Sequence, residues 1–248
     1  MPCCYFWEKF ALNAAGDALI INSSYNFIFI HIPKTGGTSM SVALAPLNQW
    51  NDLELGGTPF GQQVDRFYRG RFGIGKHSGA TEARRVLGPP AWSKFYKFAL
   101  SRNPYTRAIS TYTFLKQRKE NKVFMEKYED VNAFILSRDF ASPIMEGLLH
   151  PQRDWVCSPG GALLVDDVIP LETIDDGFPR ILRRCGVHPA HAERLSFAAE
   201  NTSAVKVPVA TVSDAAIARI AERYEADFKL FGYSLDFADR REPPTPLG

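Results

Sequence analysis

Asn26 to Leu44 reads NFIFIHIPKTGGTSMSVAL, an apolar run that passes through a glycine turn into a helical pattern. No other stretch restricts the fold as tightly. Phe27 to His31 is short, rich in isoleucine and phenylalanine, and closed by Pro33, which predicts a strand buried on both faces. Thr38 to Ala45 predicts a helix stopped by Pro46. A strand that ends in Pro-Lys-Thr-Gly-Gly-Thr-Ser and opens a helix presents successive backbone N–H groups where the partial positive charge of a helix N-terminus favours an anion. Gly36 and Gly37 permit close backbone approach, and Thr35 lies between them and Lys34. Thr38 and Ser39 add hydroxyl donors, and Lys34 adds a mobile charge at the loop mouth. The loop reads as a phosphate cradle.

Its residue order separates it from the nucleoside-triphosphatase loop. GxxxxGK[ST] places lysine after the last glycine for the outer phosphates and a hydroxyl for magnesium. Here Lys34 precedes both glycines. Asp166 and Asp167 leave an acidic metal partner weakly open, and no resident metal is expected.

The other segments predict alternating elements. Tyr25 to Leu47 and Phe95 to Arg118 are the two strand-loop-helix units, with strand Phe95 to Ser101 and a helix from Pro104. Ala162 to Pro170 reads as a strand, RFGIGKH from Arg71 as a short one, and Thr81 to Leu87, Val131 to Leu136 and Thr173 to Cys185 as helices. Ser213 to Leu230 is the clearest helix, with Ser213 as its N-cap. Asn48 to Gly75 carries six glycines without a sustained period and is expected to be loop-rich with one short helix. The pattern predicts one α/β domain over 1–248, P-loop-like and three-layered, with a central, mostly parallel β-sheet flanked by helices. The proline-rich segment 240–248 is expected to be a frayed tail.

With 45% hydrophobic and 23% charged residues the chain has a globular rather than a disordered composition. A net charge of +2 gives no ground for a nucleic-acid partner. Cys3, Cys4, Cys157 and Cys185 lack metal or redox spacing and are expected to be free thiols. No stretch reaches the roughly 18 uninterrupted apolar residues of a membrane span, and the N-terminus lacks an export pattern, so a cytoplasmic location is expected.

The second unit, SRNPYTRAISTY from Ser101, supplies another anion pocket. Arg102 follows a buried strand and offers a planar fork, Asn103-Pro104 starts a helix, and Arg107 and Ser110 lie three apart on one face. Together with IPKTGGTS from Ile32, this pair of motifs resembles the sulfotransferases that use 3′-phosphoadenosine 5′-phosphosulfate (PAPS). Within them it resembles the carbohydrate-type branch, that of the HNK-1 and heparan sulfate 2-O enzymes. The resemblance extends more loosely from about Asn26 to Ser234, through GKHSGATEARRVLG, HPQRDWV, VIPLETIDDGFPRIL, ENTS and YEADFKLFGYS. Asn48 to Arg71 has no counterpart in it.

The resemblance implies in-line sulfuryl transfer from PAPS, leaving 3′-phosphoadenosine 5′-phosphate (PAP), with the first loop on the 5′-phosphosulfate and the second motif on the 3′-phosphate. Lys34 is expected to meet charge on the leaving phosphate. Histidine titrates near enough to neutrality to take an acceptor proton, and His77 is the first choice for that base, with His150 and Glu172 in reserve. His31 is expected to pack behind the site. His150, Gln152, Arg153 and Asp154 are candidates for acceptor contacts, and Ser203 and Lys206 for the nucleotide. Of the four tryptophans, Trp92 is expected in the core. The acceptor implied is a carbohydrate hydroxyl, with a protein tyrosine, a lipid or a small metabolite as alternatives. A small-molecule kinase and a non-catalytic PAP-binding module are the competing functions.

Overall fold

A computed structural model of the chain describes residues 17–142, 146–198 and 211–245. In chain order its principal elements begin with β1 Ala18–Asn22, β2 Phe27–Ile30, α1 Gly37–Leu44, β3 Leu53–Gly56, α2 Pro59–Phe72 and α3 Ala80–Leu87. They continue with β4 Tyr96–Ser101, α4 Pro104–Gln117, α5 Val131–Leu136, β5 Asp167–Pro170, α6 Ile174–Arg184, α7 Asp214–Arg223 and α8 Glu225–Phe231. The chain divides into two compact units. A sheet unit takes 17–101 and 152–198 of the described residues, and a helical unit takes 102–142, 146–151 and 211–245.

The sheet has five strands in the order β3-β1-β2-β4-β5. β2, β4 and β5 run parallel, with Ile30 opposite Ala99 and Ser101 opposite Pro170. β1 runs against both β2 and β3, so four strands share one direction and one opposes them. The mostly parallel, helix-flanked α/β architecture expected from the motifs is therefore present. The exception has a local cause. β1 and β2 are joined by a tight turn in which Asn26 takes φ 52 and the Asn22 side chain accepts from Tyr25 N–H at 2.7 Å, and a connection that short can join only antiparallel strands. Phe27, Phe29, Phe98, Leu100, Met40 and Phe178 pack in the core of this unit, with the Phe29 and Phe98 rings 5.3 Å apart.

Several boundaries differ from the sequence expectation. β1 was not foreseen, although its five residues are all buried in the middle of the sheet. Asn48 to Gly75 is not loop-rich, because it holds edge strand β3 and the 14-residue helix α2. Its glycines serve packing and caps. A Cβ on Gly61 would lie 1.9 Å from the Gly56 carbonyl oxygen, and Gly73, at φ 66, closes the helix that Thr58 caps and Pro59 opens. The expected strand from Ala162 shrinks to β5 because Cys157 and Leu163 form an isolated bridge and Leu164 N–H donates to the Val156 carbonyl. RFGIGKH forms no strand; α2 ends within it and Gly75 to Ser78 make a turn. The long C-terminal helix breaks at Tyr224, whose backbone leaves helical geometry while its hydroxyl donates to the Leu149 carbonyl at 2.9 Å.

The helical unit closes over Tyr105, Leu115, Phe134, Phe140, Ile220 and Phe228. Trp92 is buried as expected, and Cys157 and Cys185 are buried free thiols. Among the described residues no helix is long and apolar enough to cross a membrane.

Candidate active site

The glycine loop leaves β2 at the carboxyl end of the parallel strands. Lys34 sits at φ 69, in the left-handed region that costs a residue with a Cβ on the order of 1–2 kcal/mol. Gly36, at φ 89, occupies the N-cap of α1, and no acidic residue lies in the first turn. Met40 N–H is the first of the helix to reach back, donating to the Gly36 carbonyl at 3.1 Å. The N–H groups of Gly37, Thr38 and Ser39 therefore precede the helical ladder and form its positive end. Gly37 is required by packing, since a Cβ there would lie 1.8 Å from the His31 ring.

The hydroxyls are placed differently from expectation. Thr35 donates its hydroxyl to the Ile32 carbonyl at 2.9 Å, and Thr38 donates to Asp17 Oδ1 at 2.5 Å. Thr38 is thus corrected from an outward hydroxyl donor to a strut between α1 and the start of β1, leaving its backbone N–H in the cradle. Asp17 was missed because a single acid before an aliphatic run carries no motif.

Asp17 also faces His31 Nε2 at 3.6 Å, and the His31 ring lies 5.1 Å from that of His77. His31 is buried behind the loop, as expected, and His77 is half-buried with Trp155 edge-on at 6.4 Å. Ser78 fixes the turn carrying His77 by accepting from Gly75 N–H at 2.8 Å. Burial holds both imidazoles below their ordinary pKa, His77 well below, and the neighbouring cations Lys76 and, for His77, His31 act in the same direction. Asp17 opposes this shift at both rings. Its own carboxyl is pushed up by burial, but His31, His77 and the Thr38 hydrogen bond outweigh burial and hold it below its ordinary value.

These shifts set an acid dependence. Between the depressed folded values and the ordinary value of about 6.5, the unfolded chain carries the extra protons, so stability rises with pH through that window. Stability is expected to be complete above about pH 6.5 and to fall steadily below it. Thermal melting across buffers from neutral to acid checks this, with His31→Gln flattening the slope. A melting temperature indifferent to pH in that window contradicts it.

The second motif opens the helical unit. Asn103 caps α4 by accepting from Tyr105 N–H at 3.0 Å, and Arg102 Nε donates to Thr106 Oγ1 at 3.1 Å. Ser110 is half-buried two turns further along α4. Arg107 turns inward. It is 2% exposed, and its guanidinium donates to the carbonyls of His150 and Leu148 at 2.9 and 3.1 Å, beside the Tyr224 ring. The expectation that Arg107 lines an anion pocket gives way to a clamp on the 148–150 segment, because a buried guanidinium needs acceptors and these carbonyls supply them.

The remaining candidates are scattered. His150 belongs to the helical unit, while Gln152 is fully buried in the sheet unit and Arg153 and Asp154 face each other at 3.8 Å. Ser203 and Lys206 lie outside the described residues. Asp166 is engaged by the backbone N–H and ammonium of Lys97, and Asp167 by Tyr96 and Arg180. Among the described residues no group of three or more His, Cys, Asp and Glu is placed to hold a metal.

Residues 17–234 match the family model described as "Sulfotransferase family". The chain belongs to the sulfotransferase family. It is similar to carbohydrate sulfotransferase 10 of Xenopus laevis, 23% identical over an alignment of 262 positions that spans 91% of this chain and 69% of that protein. No solved structure matches it. The protein is thus a sulfotransferase, and its sulfuryl donor is PAPS. The loop fits that donor: two glycines that cannot carry a Cβ without collision line a helix N-terminus free of acid in its first turn.

Proposed function

We propose that this sulfotransferase moves the sulfuryl group of PAPS to a hydroxyl of a carbohydrate or a glycosylated small molecule. The observation that carries the reading is the cradle at Lys34 to Ser39, where a lysine is held at φ 69 ahead of two sterically required glycines. The carbohydrate part rests on the similarity to the Xenopus carbohydrate sulfotransferase.

In this reading the N–H groups of Gly36 to Ser39 hold the phosphate that bears the sulfuryl group, and Arg102 and Ser110 hold the 3′-phosphate. PAPS supplies an activated sulfur–oxygen bond. The acceptor oxygen forms a new bond to sulfur while the bond from sulfur to the bridging oxygen breaks. Lys34 neutralises the charge gathering on that leaving oxygen. His77 takes the acceptor proton. Its depressed pKa keeps it unprotonated at neutral pH, and the Asp17 carboxylate stabilises the imidazolium that forms. Arg107 keeps the 148–150 segment in place.

Thermal-shift measurements test the donor site, because a ligand bound only by the folded state raises its apparent stability. PAP is expected to stabilise the protein. Stabilisation by magnesium-ATP with none by PAP would overturn the reading in favour of a kinase. His77→Ala is expected to lose transfer while retaining the PAP-dependent shift, and near-normal turnover in that variant would move the base elsewhere. An acceptor screen read by mass spectrometry is expected to show sulfated sugars; labelling confined to tyrosine peptides or lipids would refute the carbohydrate assignment.

A further inference from the structure

A cavity of about 400 Å³ in the sheet unit takes no part in this chemistry. Leu53, Tyr68, Phe72, Val86, Leu87 and Phe95 line it, and its size lies within the range of small-ligand pockets. Topology places it away from the glycine loop. It gathers around the end of the sheet where β1 stops and β3 and β4 start, at the pairs Ile21–Leu53 and Phe27–Tyr96. The loop follows the other end of β2, roughly 13 Å away along a four-residue strand.

The cavity wall continues into an exposed aromatic surface. Phe67, Tyr68 and Phe72 form one cluster with ring centroids 5.2 to 6.4 Å apart, and Tyr68 and Phe72 also line the cavity. Phe67 is 64% exposed, Phe72 41%, and Trp50, beside the lining residue Asn51, 96%. Phe60, also exposed, lies two turns before Phe67 on the same face of α2, and Arg71 one turn beyond it.

The exposed charge on α2 and at the ends of α2 and α3 is basic, while the acid nearest the cavity, Asp52, is taken up by Ser23 and the Gln49 N–H. α2 and α3 both end at the cavity, with Arg69 and Arg71 in the last turn of one and Arg84 and Arg85 in the last turn of the other. Arg66, Arg71, Arg84 and Arg85 are exposed. Asp65, the only acid of α2, is buried and occupied by Arg69 and the Lys76 N–H. Exposed aromatics sharing a face of α2 with Arg71, and flanked by the arginines that end α2 and α3, suit the boundary between lipid headgroups and acyl chains.

We propose that this face docks on a bilayer bearing anionic phospholipid, with an acyl chain entering the cavity. The proposal is independent of the acceptor and of the residues assigned to transfer. Co-sedimentation of the full chain with vesicles of phosphatidylcholine and phosphatidylserine, against phosphatidylcholine alone, tests it. Sedimentation is expected only with phosphatidylserine, and to weaken as salt is raised. Brominated acyl chains are expected to quench a tryptophan signal that Trp50→Phe removes. Phe67→Ser/Phe72→Ser and Arg71→Glu/Arg84→Glu are each expected to lower partitioning by about tenfold or more, while the PAP-dependent thermal shift stays at the parent value. If the first of these variants does not fold, Trp50→Ser, at a fully solvated position, replaces it. The proposal fails if the anionic vesicles do not sediment the protein, or if they do so equally in the aromatic and arginine variants. It fails equally if the face instead mediates a lipid-independent dimer that Phe67→Ser/Phe72→Ser abolishes.

Discussion

Lys34→Ala is expected to lower kcat by about 10²–10³-fold, the loss typical of removing one group aimed at charge that develops in a transition state. In the proposed mechanism the ammonium acts late, when the bridging oxygen takes up the charge of the breaking bond, so affinity for PAPS is expected to change less than turnover. The backbone makes a companion experiment informative. Lys34 is held at φ 69, and glycine reaches that region without the steric cost borne by lysine. Lys34→Gly is therefore expected to fold within about 1 kcal/mol of the parent, since relief of strain offsets the extra freedom of the unfolded chain. A variant of parental stability and crippled turnover separates function from folding at this residue. Near-normal kcat in Lys34→Gly would remove the lysine from the mechanism.

Gly37→Ala is expected to destabilise the sheet unit by roughly 3 kcal/mol and to abolish PAP binding. The new methyl would stand 1.8 Å from Cδ2 and 2.0 Å from Nε2 of His31. That ring has little room to retreat. It is 1% exposed, stacked on Phe29 at 6.1 Å, next to His77 and faced by Asp17. The collision must move either the ring or the first turn of α1, and the first turn is the proposed anion cradle. A double-mutant cycle with His31→Ala isolates the contact, because deleting the ring is expected to recover part of the stability lost to the methyl. Additivity within about 0.5 kcal/mol would show that something other than His31 demands glycine here.

The parts legible in sequence were local. Pro33 to Ser39 and Arg102 to Ser110 each carry turn, cap and charge within a dozen residues, and the structure puts both directly after parallel strands. The Ser213 cap, the start of α4 at Asn103-Pro104 and the boundaries of α1, α3 and α5 could be read for the same reason. What could not be read depended on distant partners. Arg107 resembles a ligand-binding arginine until the Leu148 and His150 carbonyls are in view, some forty residues later in the chain. The glycines of 56–73 resemble loop residues until Gly61 is seen against the Gly56 carbonyl. Asp17 gains meaning only when β1 pairs with β2 and brings it to His31 and Thr38.

β1 has a consequence for how the molecule divides. A gene fragment starting at Asn26 would encode both proposed anion-binding motifs and His77 without a change in their order. It would nevertheless leave β2 and β3 facing a gap one strand wide, with the backbone hydrogen bonds of both exposed on that side. The loop would also lose the acid that Thr38 and His31 lean on. The smallest piece of this chain that keeps its sheet closed between β2 and β3 is therefore set by an antiparallel strand that no motif includes.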